Sequence, residues 1–287
     1  MNLTQRRQEF RAILEGDRCY RSASVYDPVS ARIAQDVGFE VIFMAGSTAS
    51  GTVLGAPDMV VLTLSEFAEQ IHRICRASTR PLMVDADHGY GNALNVKRTV
   101  EELETAGVSC LTIEDTLLPL PFGATDERQL ISLEEGVGKM KAALAGRGDP
   151  NLVVAARTGA LRIGGIPETV RRAKAYEKAG VDALFLSGAQ TKEEMEAVHA
   201  AVKLPIVMAG VGDAINDTAY LASVGVRVAG QGHLPFAASM KAVYDCMKAL
   251  RDGKSPASLR PTLATAELMG QVTRRKDYDR WCKEFLL

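Results

Sequence analysis

Two aspartates, Asp85 and Asp87, stand directly after a short apolar run at residues 81–84. A run of this length is typical of a buried strand, and side chains two apart on a strand project from the same face. Two adjacent carboxylates repel each other and are costly to bury unpaired, so an oxygen-seeking cation such as Mg²⁺ would stabilise them. Gly89 and Gly91 then allow a sharp turn and the close approach of a ligand. The alternative is that the Asp-x-Asp pair only caps that turn.

Four more polar residues stand at the ends of other predicted strands, namely Ser47, Glu114, Arg157 and His233. If these strands belong to one parallel barrel, their carboxyl ends share a face and the side chains converge with the two aspartates. Each residue also has a structural alternative. Ser47 could be a turn residue, Glu114 a helix-side charge, Arg157 the partner of a barrel carboxylate, and His233 a structural histidine. Their shared position favours a single active-site pocket.

The pattern that must position these residues is a repeated strand–helix unit. At four points a glycine closes a helix just before an apolar strand begins: Gly38, Gly107, Gly180 and Gly225. Glycine there supplies the left-handed residue that follows a helix. About eight such units alternate along the chain, which predicts a parallel sheet covered by helices. Eight units over roughly 250 residues favour a closed (β/α)₈ barrel.

The chain is expected to form a single domain over residues 1–287, with the barrel at about 18–250 and a helical C-terminal extension at about 251–287. The helices of the extension are surplus to the barrel, and we expect them to pack on another subunit. Two long connections, 48–62 and 116–131, contain glycine and proline and lack clear periodicity. We interpret the first as a functional loop or lid and the second as another long loop.

Composition excludes several other classes of protein. The 287 residues carry a net charge of −1 and are 47% hydrophobic, so no charge excess indicates a nucleic acid or an anionic membrane as partner. The five cysteines are scattered without a Cys-x-x-Cys pair, which argues against a disulfide framework or a zinc site. No signal peptide is evident, and no apolar run approaches the ~20 residues of a membrane span. The expected setting is the reducing cytoplasm.

The predicted pocket has the chemistry to bind a 2-keto acid. Asp85, Asp87 and Glu114 would hold Mg²⁺, partly through water, and Arg157 offers a planar fork suited to a carboxylate. Backbone amides at 46–47 could bind the other oxygens of the same substrate. The metal would take the keto oxygen and one carboxylate oxygen, and would act as electron sink when a bond to C3 breaks.

Several motifs together resemble the isocitrate lyase/phosphoenolpyruvate mutase superfamily. They span predicted strands 2 to 5: Ala45-Gly46-Ser47, Gly55-Ala56-Pro57-Asp58, the run from Asp85 to Asn92, Ile113-Glu114-Asp115, and Ala156-Arg157-Thr158. The resemblance implies a (β/α)₈ barrel, Mg²⁺ with Mn²⁺ as a possible substitute, and 2-keto-acid or enolate chemistry. It also implies a homotetramer that swaps its last barrel helix between subunits.

The residues after Glu114 and Asp115 distinguish branches of this superfamily. Its lyases carry a Lys-Lys-Cys-Gly-His loop, and its phosphonate-handling members carry a lysine where Thr116 stands here. The loop 114–119, Gly232-His233 and Cys19-Tyr20 are most similar to the oxaloacetate decarboxylase branch. By position, that resemblance implies Gly46, Ser47, Arg157 and His233 as substrate contacts and Asp85 as the principal metal ligand, with Asp85, Arg157 and His233 as the catalytic residues.

Two positions depart from that branch. Gly159 follows Thr158 where the branch has asparagine or aspartate, and 209–212 reads Ala-Gly-Val-Gly where the branch has a tyrosine facing the pocket. Both departures imply a larger pocket with one hydrogen bond fewer.

The expected function is Mg²⁺-dependent decarboxylation of oxaloacetate, or of a related 3-carboxy-2-keto acid, to a pyruvate-type product and CO₂. One alternative is a C–C bond lyase or a phosphonopyruvate- or carboxyphosphonate-type enzyme. The other is a non-catalytic keto-acid-binding protein.

Overall fold

Eight parallel strands form the centre of the computed structural model, which describes residues 2–124 and 128–287. Each strand pairs with the next along the chain, and the first pairs with the last, so the barrel is closed. The predicted (β/α)₈ fold is therefore confirmed. The strands are β1 (Tyr20–Ser24), β2 (Val41–Met44), β3 (Leu82–Asp85), β4 (Cys110–Glu114), β5 (Val153–Thr158), β6 (Ala183–Ser187), β7 (Ile206–Ala209) and β8 (Val226–Gly230).

Helices surround the barrel and continue beyond it. Within the described residues they are α1 (Leu3–Glu15), α2 (Pro28–Asp36), α3 (Gly46–Val53), α4 (Leu64–Ala77), α5 (Ala93–Ala106), α6 (Leu133–Gly146), α7 (Ala160–Ile163), α8 (Gly165–Ala179), α9 (Lys192–Ala201), α10 (Thr218–Ser223), α11 (Leu234–Arg251), α12 (Pro256–Leu259), α13 (Ala266–Val272) and α14 (Arg275–Phe285). Short 3-10 turns lie at Asp213–Ile215 and Arg260–Thr262. No helix of the described chain is long and apolar enough to span a bilayer.

The core has two parts because successive strand residues face opposite sides. Phe43 and Phe185 belong to the smaller cluster inside the barrel, where Phe10 of α1 joins them with no exposed surface. The larger cluster lies between the strands and the outer helices and includes Ile42 and Met44. Alternation within β2 therefore fills both layers.

The predicted helix-ending glycines are confirmed. Gly38, Gly107, Gly180 and Gly225 all have positive φ, between 81° and 107°. At Gly107 the backbone N–H bonds to the carbonyl oxygens of Leu103 and Glu104. The left-handed residue thus ends the helix and directs the chain into the next strand.

The prediction of an irregular lid at 48–62 is wrong for its first part, because α3 covers residues 46–53. Ala49 is fully buried, and the Thr48 hydroxyl donates to the Ala45 carbonyl at 3.0 Å. Packing and local hydrogen bonds thus override the weak helix propensity of glycine and threonine in this run. The second predicted loop begins and ends in a pairing of Thr116 with Leu130, and its residues 125–127 lie outside the described part.

The C-terminal extension contacts its own barrel through α13, and its packing on another subunit stays a prediction. Val272 of α13 is buried, and the Arg32 guanidinium donates to its carbonyl at 3.2 Å. Arg274 also forms an ion pair with Asp36 at the end of α2, at 2.7 Å. By contrast, α11 and α14, both described over their whole length, bury none of their residues.

Candidate active site

The carboxyl ends of β3, β4 and β5 bring together three predicted site residues. Asp85 ends β3 and Glu114 ends β4, while Arg157 lies one residue before the end of β5. Glu114 and Arg157 are register partners on adjacent strands. Asp85 and Glu114 are 8% and 6% exposed, so their charges need partners.

Arg157 supplies that partner charge. Its Nη1 forms a close ion pair with Asp85 Oδ2, and its Nη2 lies 3.5 Å from Glu114 Oε2. The guanidinium also lies over the Phe185 ring, 5.6 Å from the centroid. Burial alone would lower the pKa of Arg157, but Asp85 and Glu114 more than offset this and raise it. The sequence left open a structural role for Arg157 as partner of a barrel carboxylate. The structure shows this pairing, with Asp85 as the partner.

The prediction that Asp85 and Asp87 project from the same strand face is wrong, because Asp87 lies in the turn that follows β3. The strand ends at Asp85, and Asp87 has a left-handed backbone with φ of +48°, so the two side chains are not successive residues on one strand face. Ladder-like hydrogen bonds to β4 continue past the strand end, because the Ala86 N–H donates to Thr112 and the Glu114 N–H donates to Asp87. The Asp87 carboxylate lies against Gly46, where a Cβ would be 2.7 Å from Oδ1.

The acids outnumber the cation that neutralises them. Burial raises the pKa of Asp87, and the charges of Asp85, Asp58 and Glu114 raise it further. The pKa of Glu114 is also raised by burial, although Arg157 opposes that shift. The cluster therefore carries more negative charge than one guanidinium offsets.

This excess fits a divalent cation by its chemistry, since carboxylate oxygens are the preferred ligands of Mg²⁺. The acids are not gathered into a ready site: across residues 2–124 and 128–287, no three acidic, histidine or cysteine side chains converge closely enough to hold a metal ion. Arg157 lies between Asp85 and Glu114 instead. The metal set Asp85, Asp87 and Glu114 remains a prediction that requires the guanidinium to move.

Gly46 and Ser47 open α3 at the same end of the barrel. The helix begins after Ala45, whose side chain cannot accept a hydrogen bond from the first backbone amides. These amides and the positive end of the helix dipole suit an anionic oxygen. Gly46 is buried and Ser47 is half-buried, and the role of both residues as substrate contacts stays a prediction.

His233 stands just before α11 and is held by β1. Its Nδ1 lies 2.8 Å from the Ser24 hydroxyl, and its ring lies 6.2 Å from the Phe43 ring. Burial lowers the pKa of His233, while the charges of Asp85 and Asp58 oppose that shift. The imidazole is therefore mostly neutral at pH 7.

Sequence reasoning missed three neighbours of this cluster. Asp58 affects the pKa of Asp87, Ser24 orients His233, and the Thr116 hydroxyl donates to Glu114 Oε2 at 3.0 Å. Asp58 lies in one of the motifs noted above, and Ser24 ends β1, so both carried a signal. Thr116 stands two residues after Glu114 and gave no signal for this contact.

The residues thus form an acid-rich barrel mouth with one half-buried arginine and an adjacent helix N-terminus. Comparison with known proteins identifies the family: the model of the phosphoenolpyruvate phosphomutase family matches residues 10–251, and the chain belongs to that family. An oxaloacetate decarboxylase of Rhodopseudomonas palustris strain BisA53 is 55% identical over 281 residues, which cover 98% of this chain and 96% of that protein.

Two solved structures share the fold over nearly the whole chain. Phosphoenolpyruvate phosphomutase from Streptomyces platensis subsp. rosaceus has a TM-score of 0.86 at 26% identity, covering 98% of this chain and 99% of its own. Phosphonopyruvate hydrolase in complex with oxalate and Mg²⁺ has a TM-score of 0.85 at 29% identity, with the same coverage of both chains.

Replacing one clustered acid should stabilise the metal-free protein. Asp87→Asn removes a charge that burial and three neighbouring carboxylates disfavour, so we expect its Tm in chelator to rise by about 2–4 °C, roughly 1 kcal/mol for a chain of this size. Differential scanning calorimetry tests this, with exposed Asp213→Asn after β7 as the control, which should leave Tm unchanged. A lower Tm for Asp87→Asn would contradict the charge excess.

Proposed function

We propose that this protein is a Mg²⁺-dependent decarboxylase of oxaloacetate or a related 3-carboxy-2-keto acid. The observation that carries the proposal is the half-buried Arg157 between Asp85 and Glu114 at the barrel mouth. This arrangement offers one site for a cation and another for a substrate carboxylate. The high identity to an oxaloacetate decarboxylase over nearly the whole chain supports the same substrate class.

Asp85, with Asp87 and Glu114, would hold the metal, and Mn²⁺ could replace Mg²⁺. The bound ion would supply a Lewis acid that withdraws electrons from the keto group. That a related hydrolase was crystallised with oxalate and Mg²⁺ supports a divalent ion in this family. With the charges of Asp85 and Glu114 offset by the ion they would hold, Arg157 would be available to a substrate carboxylate.

The chain's own residues would orient the substrate. Arg157 binds the carboxylate next to the keto group, and the backbone amides of Gly46 and Ser47 donate to its other oxygens. The second carboxylate is left beside the Phe43 and Phe185 rings, whose centroids are 6.3 Å apart. The C3–C4 bond then breaks, and its electron pair forms a C2–C3 double bond while the π electrons of the keto group move onto the keto oxygen. The carboxylate departs as neutral CO₂ and an enolate remains.

His233 would contact the substrate near C3. Its ring is mostly neutral, and the Ser24 hydroxyl holds one nitrogen, so the orientation of the ring is set before the substrate binds. A neutral imidazole with a fixed orientation can donate a hydrogen bond to the enolate, and its protonated form could pass a proton to C3 and return to the neutral state.

The alternative of a C–C lyase has less support. Among the described residues of the site none is a cysteine, and Cys110 lies fully buried inside the barrel, where burial raises its pKa well above the usual value. Thr116 binds Glu114, whereas the phosphonate-handling members carry lysine at its position. Turnover of any substrate would exclude the remaining alternative, a non-catalytic keto-acid-binding protein.

Asp85→Ala should lower metal-dependent turnover of oxaloacetate at least 100-fold, because it removes the principal metal ligand and the partner of Arg157. The assay measures CO₂ and pyruvate together, with and without chelator, and Asp213→Ala serves as the exposed control with wild-type activity. A second organic product from wild type would favour a lyase. Binding of the keto acid without turnover would favour the binding protein.

The pocket has open space at the ends of β5 and β7. A Cβ added at Gly159 would meet only the Ser187 hydroxyl, at 3.6 Å, and one at Gly210 would lie 3.8 Å from the Gly188 nitrogen. Gly210 has φ of +65°, so a side chain there is strained, whereas Gly159 at φ −98° accepts any residue. This space supports a substrate with a substituent at C3.

Gly159→Asn should shift preference toward oxaloacetate. Filling this space removes room for an alkyl group and adds a hydrogen-bonding side chain, so we expect the ratio of kcat/KM for 3-methyloxaloacetate over oxaloacetate to fall about tenfold or more. Gly159→Ala is the control that adds little volume. If wild type already prefers oxaloacetate about a hundredfold and Gly159→Asn leaves the ratio unchanged, the larger pocket has no role in specificity.

We further propose a homotetramer in which α11 is exchanged between subunits. Five of its exposed apolar residues form one stripe at helical spacing: Met240, Val243, Tyr244, Met247 and Leu250. An open groove of about 400 Å³ lies beside α2 and β1, lined by apolar residues that include Ile33, Val37 and Phe39. This is where the outer helix of a closed barrel would pack, and the stripe of a second copy fits it.

Met247→Asp should dissociate the assembly, because it places a charge in the centre of the stripe. Sedimentation velocity measures the change, and Ala242→Asp on the opposite face of α11 is the matched control that should remain assembled. A monomeric wild-type protein would contradict the exchange.

The five cysteines are free, which supports our proposal that the protein acts in the cytoplasm.

A further inference from the structure

The turn at residues 86–89 carries Asp87, and each of its four backbone carbonyl oxygens accepts a hydrogen bond. The Ala86 oxygen accepts from the Gly89 N–H at 2.9 Å, and the Asp87 oxygen accepts from the Glu114 N–H at 2.8 Å. The next two carbonyls accept from side chains of outer helices. Lys139 Nζ of α6 donates to the His88 oxygen at 3.0 Å, and the Thr99 hydroxyl of α5 donates to the Gly89 oxygen at 3.1 Å.

Lys139 is an unusual residue for this place. It is 3% exposed, and burying an ammonium is costly unless it has partners. Its hydrogen bond goes to a peptide carbonyl, and burial lowers the pKa of Lys139, although the carboxylates of Glu135, Glu114 and Asp115 oppose that shift. An apolar side chain would fill this space without that cost, so packing alone does not account for a lysine.

The position of Asp87 depends on this turn. Its left-handed backbone is uncommon for an aspartate and must be held by its surroundings. The carbonyl of Asp87 is fixed by β4, and the following carbonyl is fixed by Lys139. The carboxylate is thereby kept against Gly46 and close to the other acids.

We propose that Lys139 is a positioning residue for the metal site: its ammonium holds the His88 carbonyl, and so the backbone of Asp87, and its charge offsets part of the acid cluster. This inference rests on the proposed function, since it assigns Asp87 to a metal. Residues that orient metal ligands typically affect metal affinity 10–100-fold when they are replaced.

The test is Mn²⁺ binding followed by the EPR signal of the free ion. Lys139→Met removes the donor and the charge while keeping the length, and we expect Mn²⁺ affinity to fall about 10–100-fold. The Mg²⁺ concentration for half-maximal decarboxylation should rise in parallel, with kcat at saturating Mg²⁺ largely retained. Lys139→Arg keeps the charge and the donors and should restore affinity to within a few-fold of wild type.

Lys141→Met is the matched control, because it makes the same change at an exposed position of the same helix. Lys139→Gln, which also loses the charge, is measured in parallel in case the methionine variant does not fold. Either folded variant binding Mn²⁺ as tightly as wild type would overturn the inference. Wild-type protein that binds no Mn²⁺ would instead contradict the proposed function, so the two failures are distinguishable.

Discussion

The ion pair between Arg157 and Asp85 is the interaction on which the rest of the site depends. One guanidinium at the barrel mouth faces Asp85, Glu114 and Asp87, and it neutralises only part of their charge. A cation that binds the carboxylates would take over the role of Arg157 and release it for a carboxylate of the substrate. Metal and substrate would then each favour the binding of the other, since coupling between two sites is reciprocal.

The strands of the barrel and the helix α6 hold the residues of this site in position. Strand register places Glu114 beside Arg157, and bonds from β4 and α6 hold the turn at Asp87. Two of the four described non-glycine residues with positive φ, Asp87 and Tyr90, lie in the segment that follows β3. Such backbone strain persists only where the surrounding structure determines it, and it is common at functional sites.

Much of the fold could be predicted from the sequence because its signals are local. The four predicted helix-ending glycines follow the ends of α2, α5, α8 and α10 within two residues, and the apolar run 81–84 corresponds to β3 with a shift of one residue. The same pattern placed Asp85, Glu114 and Arg157 on one face. These predictions depended on local patterns that recur along the chain and not on any long-range contact.

The remaining features depend on contacts between distant residues. The left-handed turn at Asp87 is held by Glu114 and Lys139, and α3 forms because it packs on the barrel, so neither follows from local propensity. The sequence left two roles open for Arg157, a substrate contact and the partner of a barrel carboxylate. Residue type alone does not show which carboxylate a guanidinium binds. The packing of α13 on α2 likewise involves residues about 240 positions apart.

The most direct test of this account is a crystal structure of the protein soaked with Mn²⁺ and oxalate, with the metal located by its anomalous scattering. We expect the metal to be bound through oxygens of Asp85, Asp87 and Glu114, directly or through water, and the Arg157 guanidinium to have moved from Asp85 to the oxalate. A metal bound elsewhere, or oxalate bound while Arg157 still pairs with Asp85, would contradict the account.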